Sequence, residues 1–392
     1  MSYYVLPKNN NIININPQLD NNNNNNNLIY TSYSVYNYYE NAYDQLIKIL
    51  SLDEDLYIHS ISEYEKIYKE FNPYEYIFSK VPGSKYSVSK IKTQSNLFYE
   101  FLEIINILNC FDAYKNMNIR FMHIGKNYDD IAECFHLFRE NNEDEIFFYN
   151  ENITERCNFL FFENNETIDN LNLYILNLIN IINIIIKFQS VNGTCVIQIN
   201  HIIHKPIIEL LYLLTSFFEK TYIIKPNSNN VISFDKYLIC KNFILNEDKI
   251  EIYKKYYNQF HDFINNYKMN ISNNIVSIIN QEIPYYFINK IDDINIIIGQ
   301  QQLECIDQII NVFKNNNKKD RIEYIRKINI QKAVNWCEKF KIPCNKFLEK
   351  TNIFLPVIKG DVNEVFNDVK DINDTNDTND TNDKKYNNES ML

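Results

Sequence analysis

The stretch TCVIQINHIIHKPIIELLYLLTSFFEKTYIIKP, residues 194–226, decides the fold class. Its first seven residues are mostly apolar and β-branched, which predicts a buried strand over 194–200. The segment 205–220 has Pro206 in its first turn, where a helix tolerates proline best, and apolar residues at helical spacing. Residues 221–226 predict a second strand. A strand, a helix and a strand in this order are typical of a parallel sheet covered by helices.

The same alternation continues on both sides of this stretch. Strand-like and helical patterns follow one another over about 120 residues, which predicts an α/β sandwich around a mostly parallel sheet. The further strands are predicted at 118–125, 145–150, 157–163 and 236–243, and the further helices at 95–110, 129–140 and 170–188.

Composition divides the chain into five segments. Residues 1–27 end in seven consecutive asparagines and are expected to be flexible. Residues 28–90 are rich in tyrosine and predict a helical N-terminal extension, and the α/β domain covers 91–245. Residues 246–358 predict a helical C-terminal region. The last segment, 359–392, is acidic and repeats Asn-Asp-Thr, and it has too little apolar content to fold.

The bulk composition excludes two common kinds of site. A formal net charge of −11 argues against a protein that coats nucleic acid by charge alone, although a local basic groove stays open. Only five glycines occur and no two are close together, which excludes a glycine-rich phosphate loop of the usual kind. The basic stretch 314–332 has two interpretations, a solvated helix face or a surface for RNA or a partner.

The eight cysteines form no CxxC pair and no paired spacing with histidine, so we interpret them as buried free thiols and expect no metal site. His201 and His204 are three residues apart, but no cysteine or acid completes a ligand set near them. The N-terminus has no signal pattern, and the apolar stretch Leu171–Phe188 is interrupted by four asparagines. We therefore expect no secretion and no membrane span.

The segment NGTCVIQIN and the residues after it, up to YLICKNF (192–243), resemble the C-terminal half of the FtsJ-like S-adenosylmethionine-dependent RNA 2′-O-methyltransferases. The likeness is to the Adrift-type, cap-modifying branch of eukaryotes and large DNA viruses. That family has a Gly-Gly-x-x-V-x-K strand, a helix, a strand ending near Lys-Pro, and a Ser-Glu-x-Tyr-x-V-C strand. KTQSNLFYEFLEIINIL (92–108) is similar to the family's N-terminal helix, and FMHIGKNYDDIAECF (121–135) to its first strand and glycine loop.

This resemblance covers about residues 90–245 and implies a Rossmann-like methyltransferase sandwich, in which the strand at 236–241 is antiparallel to an otherwise parallel sheet. In the family, a lysine of lowered pKa, held by an aspartate, a second lysine and a glutamate, helps remove the proton of a ribose 2′-hydroxyl. The hydroxyl then attacks the cofactor's methyl group. In this chain the four positions are Glu100, Glu163, Gln198 and Asp235. Three acids without a lysine would raise one another's pKa and repel RNA phosphates.

The family's cofactor loop also departs from its pattern. Its positions in this chain include Gly125, Asn127, Asp129 and Asp130, with Tyr128 between them. The Tyr128 side chain would intrude on the cofactor, and the two aspartates would face the cofactor's carboxylate. The resemblance thus implies S-adenosylmethionine as cofactor, and the substitutions predict that it binds weakly or not at all.

The resemblance therefore implies a catalytically inactive subunit that binds RNA or acts as a scaffold. Its partners would be capped mRNA or a capping or methyltransferase protein, in the cytoplasm, a viral factory or the virion. The alternative is an active cap 2′-O-methyltransferase with a diverged site. That enzyme would need a lysine from elsewhere, such as Lys205, Lys225 or Lys236, each of which we interpret from sequence as solvated. On either reading, we expect Glu100, Glu163, Gln198 and Asp235 to lie close together.

Overall fold

The computed structural model describes residues 3–20, 29–51, 67–139, 143–150, 154–164, 170–268, 273–314 and 318–345. The strands are β1 (Tyr3–Leu6), β2 (Ile15–Asp20), β3 (Arg120–Ile124), β4 (Glu145–Phe148), β5 (Cys157–Phe162), β6 (Gln189–Ile199), β7 (Phe218–Ile224), β8 (Lys236–Phe243) and β9 (Asn274–Ile279). The helices are α1 (Tyr33–Ser51), α2 (Leu97–Leu108), α3 (Tyr128–Phe138), α4 (Leu171–Phe188), α5 (Lys205–Leu214), α6 (Glu247–Lys268), α7 (Tyr285–Phe313) and α8 (Lys318–Lys339).

Seven strands form the central sheet in the order β1-β7-β8-β6-β5-β3-β4. The pairs β3–β4, β3–β5 and β5–β6 are parallel, whereas β8 is antiparallel to both β6 and β7. Strand β7 therefore runs in the same direction as β3 to β6. The predicted α/β class, with a mostly parallel sheet and an antiparallel strand at 236–241, is confirmed, and the architecture is compatible with a Rossmann-like sandwich. The sheet is not otherwise parallel as predicted, because β1 is a second antiparallel strand.

Helices cover both faces of the sheet, which explains why its strands are continuous apolar runs. Along β6, Val196 points into the core beneath α2, α3 and α8, while its neighbours Cys195 and Ile197 point into the core beneath α4 to α7. Side chains of a strand alternate between faces, so a strand that is buried on both sides needs apolar residues at nearly every position.

The helix predicted over 205–220 ends at Leu214, and β7 begins at Phe218. The hydroxyl groups of Thr215 and Ser216 donate hydrogen bonds to the carbonyl oxygens of Tyr212 and Leu213, each at 2.7 Å. These side chains satisfy carbonyl groups that the helix end leaves unpaired, and so help to end the helix early. The prediction that Phe217 and Phe218 continue the helix was wrong.

The prediction of a flexible N-terminus is wrong for two segments of it. Strand β1 pairs antiparallel with β7 at the edge of the central sheet, and β2 pairs with β9 in a separate two-stranded sheet. The predicted helical C-terminal region contains α6, α7 and α8 but also β9. The asparagine run 21–27 and the acidic tail lie outside the described residues.

Two further expectations concern buried elements. All eight cysteines are free thiols, and seven of them are buried, as the sequence predicted. Helix α4 is long and apolar enough to cross a membrane by length and composition, but 61% of it is buried inside the protein. It packs in the core beneath the sheet together with α5 and α6.

A buried carboxylate joins the small sheet to the central domain. Glu209 of α5 is fully buried and accepts hydrogen bonds from the Ser277 hydroxyl at 2.9 Å and from the backbone N–H groups of Ile278 and Ile279. Glu209→Ala removes this buried acceptor from the backbone N–H groups of Ile278 and Ile279, so we expect the free energy of unfolding to fall by about 2–3 kcal/mol. Urea denaturation measures this change. Glu251→Ala, at an exposed position on α6, is the matched control and should change stability by less than about 0.5 kcal/mol. Equal effects of the two substitutions would contradict the role of Glu209.

Candidate functional site

The predicted site residues lie at one edge of the central sheet, where β3, β5 and β6 end and β8 begins. Ligands of open α/β sheets bind outside the carboxyl ends of the strands. Gln198 lies two residues after Val196, and Glu163 two residues after Phe161, so strand alternation puts both on the face covered by α2. In the register of the sheet, Gln198 lies opposite Tyr237.

Glu100 reaches this edge from α2 and is 7% exposed. Its carboxylate accepts hydrogen bonds from the Tyr237 hydroxyl at 2.6 Å, the Asn229 side-chain amide at 2.9 Å and the Asn96 amide at 3.0 Å. Burial raises the pKa of Glu100, and the hydrogen bonds from Tyr237 and Asn229 offset part of that rise. The side chain is held in place by three donors, which is the environment of a structural acid.

Lys225 lies between Glu100 and Asp235. Its ammonium group donates to the carbonyl oxygens of Ser233 at 2.5 Å and Asp235 at 3.1 Å, and to the Asn229 side chain at 3.1 Å. Burial lowers the pKa of Lys225 to about 8, although the negative charges of Asp235 and Glu100 act to raise it. The interpretation of Lys225 as a solvated lysine was wrong, because the chain from 226 to 235 folds round its ammonium group.

Lys236 is also buried, with 2% of its surface exposed. Its ammonium group donates to the carbonyl oxygens of Asn200 at 2.7 Å and Phe234 at 2.8 Å, and so ties the end of β6 to the start of β8. Burial, together with the charge of Lys225, lowers the pKa of Lys236 to about 7. The interpretation of Lys236 as solvated was also wrong. Lys205 is half-buried, with its side chain 44% accessible, and its Nζ lies 3.7 Å from the Glu209 carboxylate.

Glu163 follows β5 and closes the loop between β3 and α3. Its carboxylate accepts hydrogen bonds from the backbone N–H groups of Asn127 at 2.9 Å and Lys126 at 3.2 Å, and from the Asn127 side chain at 2.8 Å. His123 Nε2 lies 2.8 Å from the same carboxylate. Burial alone would raise the pKa of Glu163, but the hydrogen bonds from His123 and Asn127 hold it below its usual range. The loop at the start of α3 thus already binds an anion, which is the carboxylate of Glu163.

Gly125 is required by this arrangement. A Cβ atom at that position would lie 2.5–2.7 Å from the side-chain carbons of Glu163, which is closer than any real contact. The glycine at a position of the family's cofactor loop makes room here for Glu163.

The other predicted loop residues contact the protein itself. Tyr128 stacks on Phe148 with ring centroids 4.4 Å apart, and its hydroxyl donates to the carbonyl oxygen of Ile146. Asp130 is buried and accepts hydrogen bonds from the Gln94 backbone N–H at 2.8 Å and the Ser95 hydroxyl at 2.5 Å. Asp129 accepts from the Gln94 side chain at 3.3 Å. The prediction that Asp130 faces a cofactor was wrong, because its carboxylate holds the segment before α2.

Tyr237 is the residue round which the four substituted positions gather. Its hydroxyl donates to Glu100, and the residue lies opposite Gln198 and two positions after Asp235. Burial raises the pKa of Tyr237, and the negative charges of Glu100, Asp235 and Glu163 raise it further. Tyr237 and His123 gave no signal in the sequence, since each stands inside an apolar strand where a buried aromatic ring is the ordinary interpretation.

A small cavity adjoins this edge between α1, α7 and the loop after β6. It is lined in part by Tyr36, His201, Phe234, Lys236 and Gln302. The His201 ring stacks on Phe234 at 3.8 Å between centroids, and burial lowers the pKa of His201 to about 3. Among the residues that the structure describes, no three His, Cys, Asp or Glu side chains come together as a metal-binding group.

Comparison of the sequence with models of known protein families finds no match, and comparison with curated proteins finds none either.

The lowered pKa of Lys236 predicts how stability depends on pH. Between its folded pKa of about 7 and its unfolded value near 10.4, the unfolded chain binds more protons than the folded chain. The free energy of unfolding should therefore rise from pH 7 to pH 9.5, on the order of 2 kcal/mol more in the wild type than in Lys236→Met. Urea denaturation across this range measures the difference. Lys254→Met, at an exposed position on α6, should keep the wild-type slope, and parallel profiles for wild type and Lys236→Met would contradict the assignment.

Proposed function

We propose that this protein has the fold of an FtsJ-like RNA 2′-O-methyltransferase without its catalysis, and that it acts as an RNA-binding or scaffolding subunit with capped mRNA or a capping protein as partner. The resemblance over residues 90–245 supports the family, as does the antiparallel strand β8 between β6 and β7. The observation that carries the loss of catalysis is the contact of the Glu163 carboxylate with the loop between β3 and α3.

The residues present do not fit S-adenosylmethionine. The backbone donors of Lys126 and Asn127 are taken by Glu163, whose carboxylate would repel the carboxylate of the cofactor. Two such charges about 4 Å apart cost about 1 kcal/mol in water and about 4 kcal/mol at an effective dielectric of 20. Tyr128 covers Phe148 on the other side of the loop. Both the polar and the apolar contacts of this loop are thus made within the chain.

The two lysines at this edge, Lys225 and Lys236, form hydrogen bonds within the protein. A catalytic lysine must present a free amine to the substrate hydroxyl, since the base has to lie within hydrogen-bonding reach of the proton that it takes. Lys225 donates to three oxygen atoms and Lys236 to two main-chain carbonyls. Each of these bonds favours the charged ammonium form and holds a loop or a strand end in place.

An active enzyme with a diverged site is the second candidate, and one observation favours it. Lys225 has a lowered pKa and lies beside two acids, Glu100 and Asp235, which resembles the electrostatic arrangement that tunes a lysine base. The two candidates differ in whether the cofactor binds.

Calorimetric titration of the full chain with S-adenosylmethionine separates the two candidates. We expect no saturable heat of binding up to about 1 mM, because Glu163 already accepts the hydrogen bonds of the loop and its negative charge repels the cofactor's carboxylate. Short capped RNA, titrated separately and followed by fluorescence anisotropy, should bind without cofactor. Saturable cofactor binding in the low micromolar range would reject the inactive reading in favour of the enzyme, and binding of neither ligand would leave the scaffold role as the one to pursue by partner capture.

Glu163→Ala tests why the cofactor does not bind. The substitution frees the N–H groups of Lys126 and Asn127 and removes the repelling charge, so we expect binding of S-adenosylmethionine to become measurable at millimolar concentration. Glu133→Ala, at an exposed position on α3, is the matched control and should bind no more cofactor than the wild type. Equal heats for the two variants, with both folded by circular dichroism, would show that Glu163 is not what excludes the cofactor.

A further inference from the structure

Helix α8 presents a line of exposed side chains along one flank, beside its buried face. The buried face consists of Ile325, Asn329, Ile330, Ala333, Trp336 and Cys337. Arg321, Ile328, Lys332 and Lys339 are all exposed, and their spacings of seven, four and seven residues put them on one side of the helix. We call these four residues the α8 stripe.

The α8 stripe belongs to the most basic part of the chain. Residues 314–341 contain nine lysines and arginines and three acids, a net charge of +6, in a protein whose net charge is −11. Two of the other cations of this region are paired: Arg326 contacts Glu70 and Lys327 contacts Glu323. Arg321, Lys332 and Lys339 form no ion pair with another described residue. The α8 stripe is thus a row of charge that the described fold does not neutralise.

The C-terminal sequence contains a complementary row. Aspartates occur at 371, 374, 377, 380 and 383, and no lysine or arginine lies between the first and the last. In an extended backbone with three residues per turn, side chains three residues apart lie on one side and about 9 Å from each other. The α8 stripe extends over about 27 Å from Arg321 to Lys339, at about 1.5 Å per helical residue. Five aspartates in such a row are long enough to follow it.

The chain leaves the described structure next to α8. The backbone of Cys344 pairs with that of Ser89 in an isolated antiparallel β-bridge, and the backbone N–H of Asn345 donates to the carbonyl oxygen of Val88. Val88 belongs to the same buried cluster as Trp336 of α8. The 25 residues from 346 to 370 can extend for about 80 Å, so the aspartates reach every part of the stripe. A tethered segment acts at an effective concentration that a free ligand seldom reaches.

We propose that the aspartate repeat, residues 371–383, docks on the α8 stripe of its own chain. The repeat then competes with any other polyanion for this surface, single-stranded RNA included. Contacts between exposed charges are individually weak and screened by salt, so the contact depends on the number of pairs and on the tether.

Zero-length carbodiimide cross-linking of the full chain, read by mass spectrometry of peptides, tests the proposal directly. At low ionic strength we expect links from Lys332 and Lys339 to aspartates of the repeat, independent of protein concentration and lost in 0.5 M NaCl. Lys254 and Lys255, exposed on α6, are the internal control and should form few such links. Replacing the five aspartates by asparagine should remove the links to α8 without changing the thermal melting of the protein.

A competition experiment gives the second measurement. A 20-nucleotide single-stranded RNA should bind several-fold more tightly to the asparagine variant of the repeat than to the wild type. That gain should disappear when Arg321, Lys332 and Lys339 are also changed to glutamate, but should persist with Lys254→Glu and Lys255→Glu. Cross-links spread equally over α6 and α8 would overturn the proposal. So would RNA affinity that is indifferent to the repeat, which would leave the stripe as a surface for RNA or another partner alone.

Discussion

The contact between the Glu163 carboxylate and the loop that leads from β3 to α3 organises the edge of the sheet where the candidate site lies. A carboxylate removed from water must be paired or fully hydrogen-bonded, and here two backbone N–H groups, an asparagine amide and a histidine surround it. The contact joins the ends of β3 and β5 to the start of α3, and it forces glycine at position 125. Loss of one donor would leave a buried charge short of a partner. The edge is therefore stable because its anion-binding donors are satisfied from within.

The second network at this edge obeys the same constraint. Glu100 of α2 accepts hydrogen bonds from Tyr237 of β8 and from Asn229 in the chain between β7 and β8, and Asn229 in turn accepts one from Lys225. Acids that would repel one another in isolation are separated by a tyrosine hydroxyl, amides and a buried ammonium group. From the sequence alone, we expect three acids here without a cation. The structure supplies Lys225 and Lys236 from the segments that flank the chain between β7 and β8.

The sheet could be predicted because strands buried on both faces are continuous apolar runs, and such runs separated by helical patterns leave few topologies open. The end of α5 could not, because Thr215 and Ser216 act through side-chain hydrogen bonds that hydrophobic periodicity does not record. The edge strand β1 was missed because its four residues, although aromatic or aliphatic, are too few to show a periodicity beside an asparagine-rich segment. Lys225 and Lys236 looked solvated because their burial arises from the tertiary path of the chain between β7 and β8.

A polar site in an α/β fold can leave its donors open to a ligand or satisfy them with its own side chains, and the two choices have opposite consequences. Open donors bind, but they depend on solvent or ligand for stability. Satisfied donors stabilise the fold and bind nothing further without a rearrangement that breaks several hydrogen bonds. In this protein Glu163 accepts hydrogen bonds from the donors before α3, while the ammonium groups of Lys225 and Lys236 donate to main-chain carbonyl oxygens. If the sheet edge binds no ligand, the exposed cations of α8 are a surface on which this protein can contact a polyanion, whether its own aspartate repeat or another molecule.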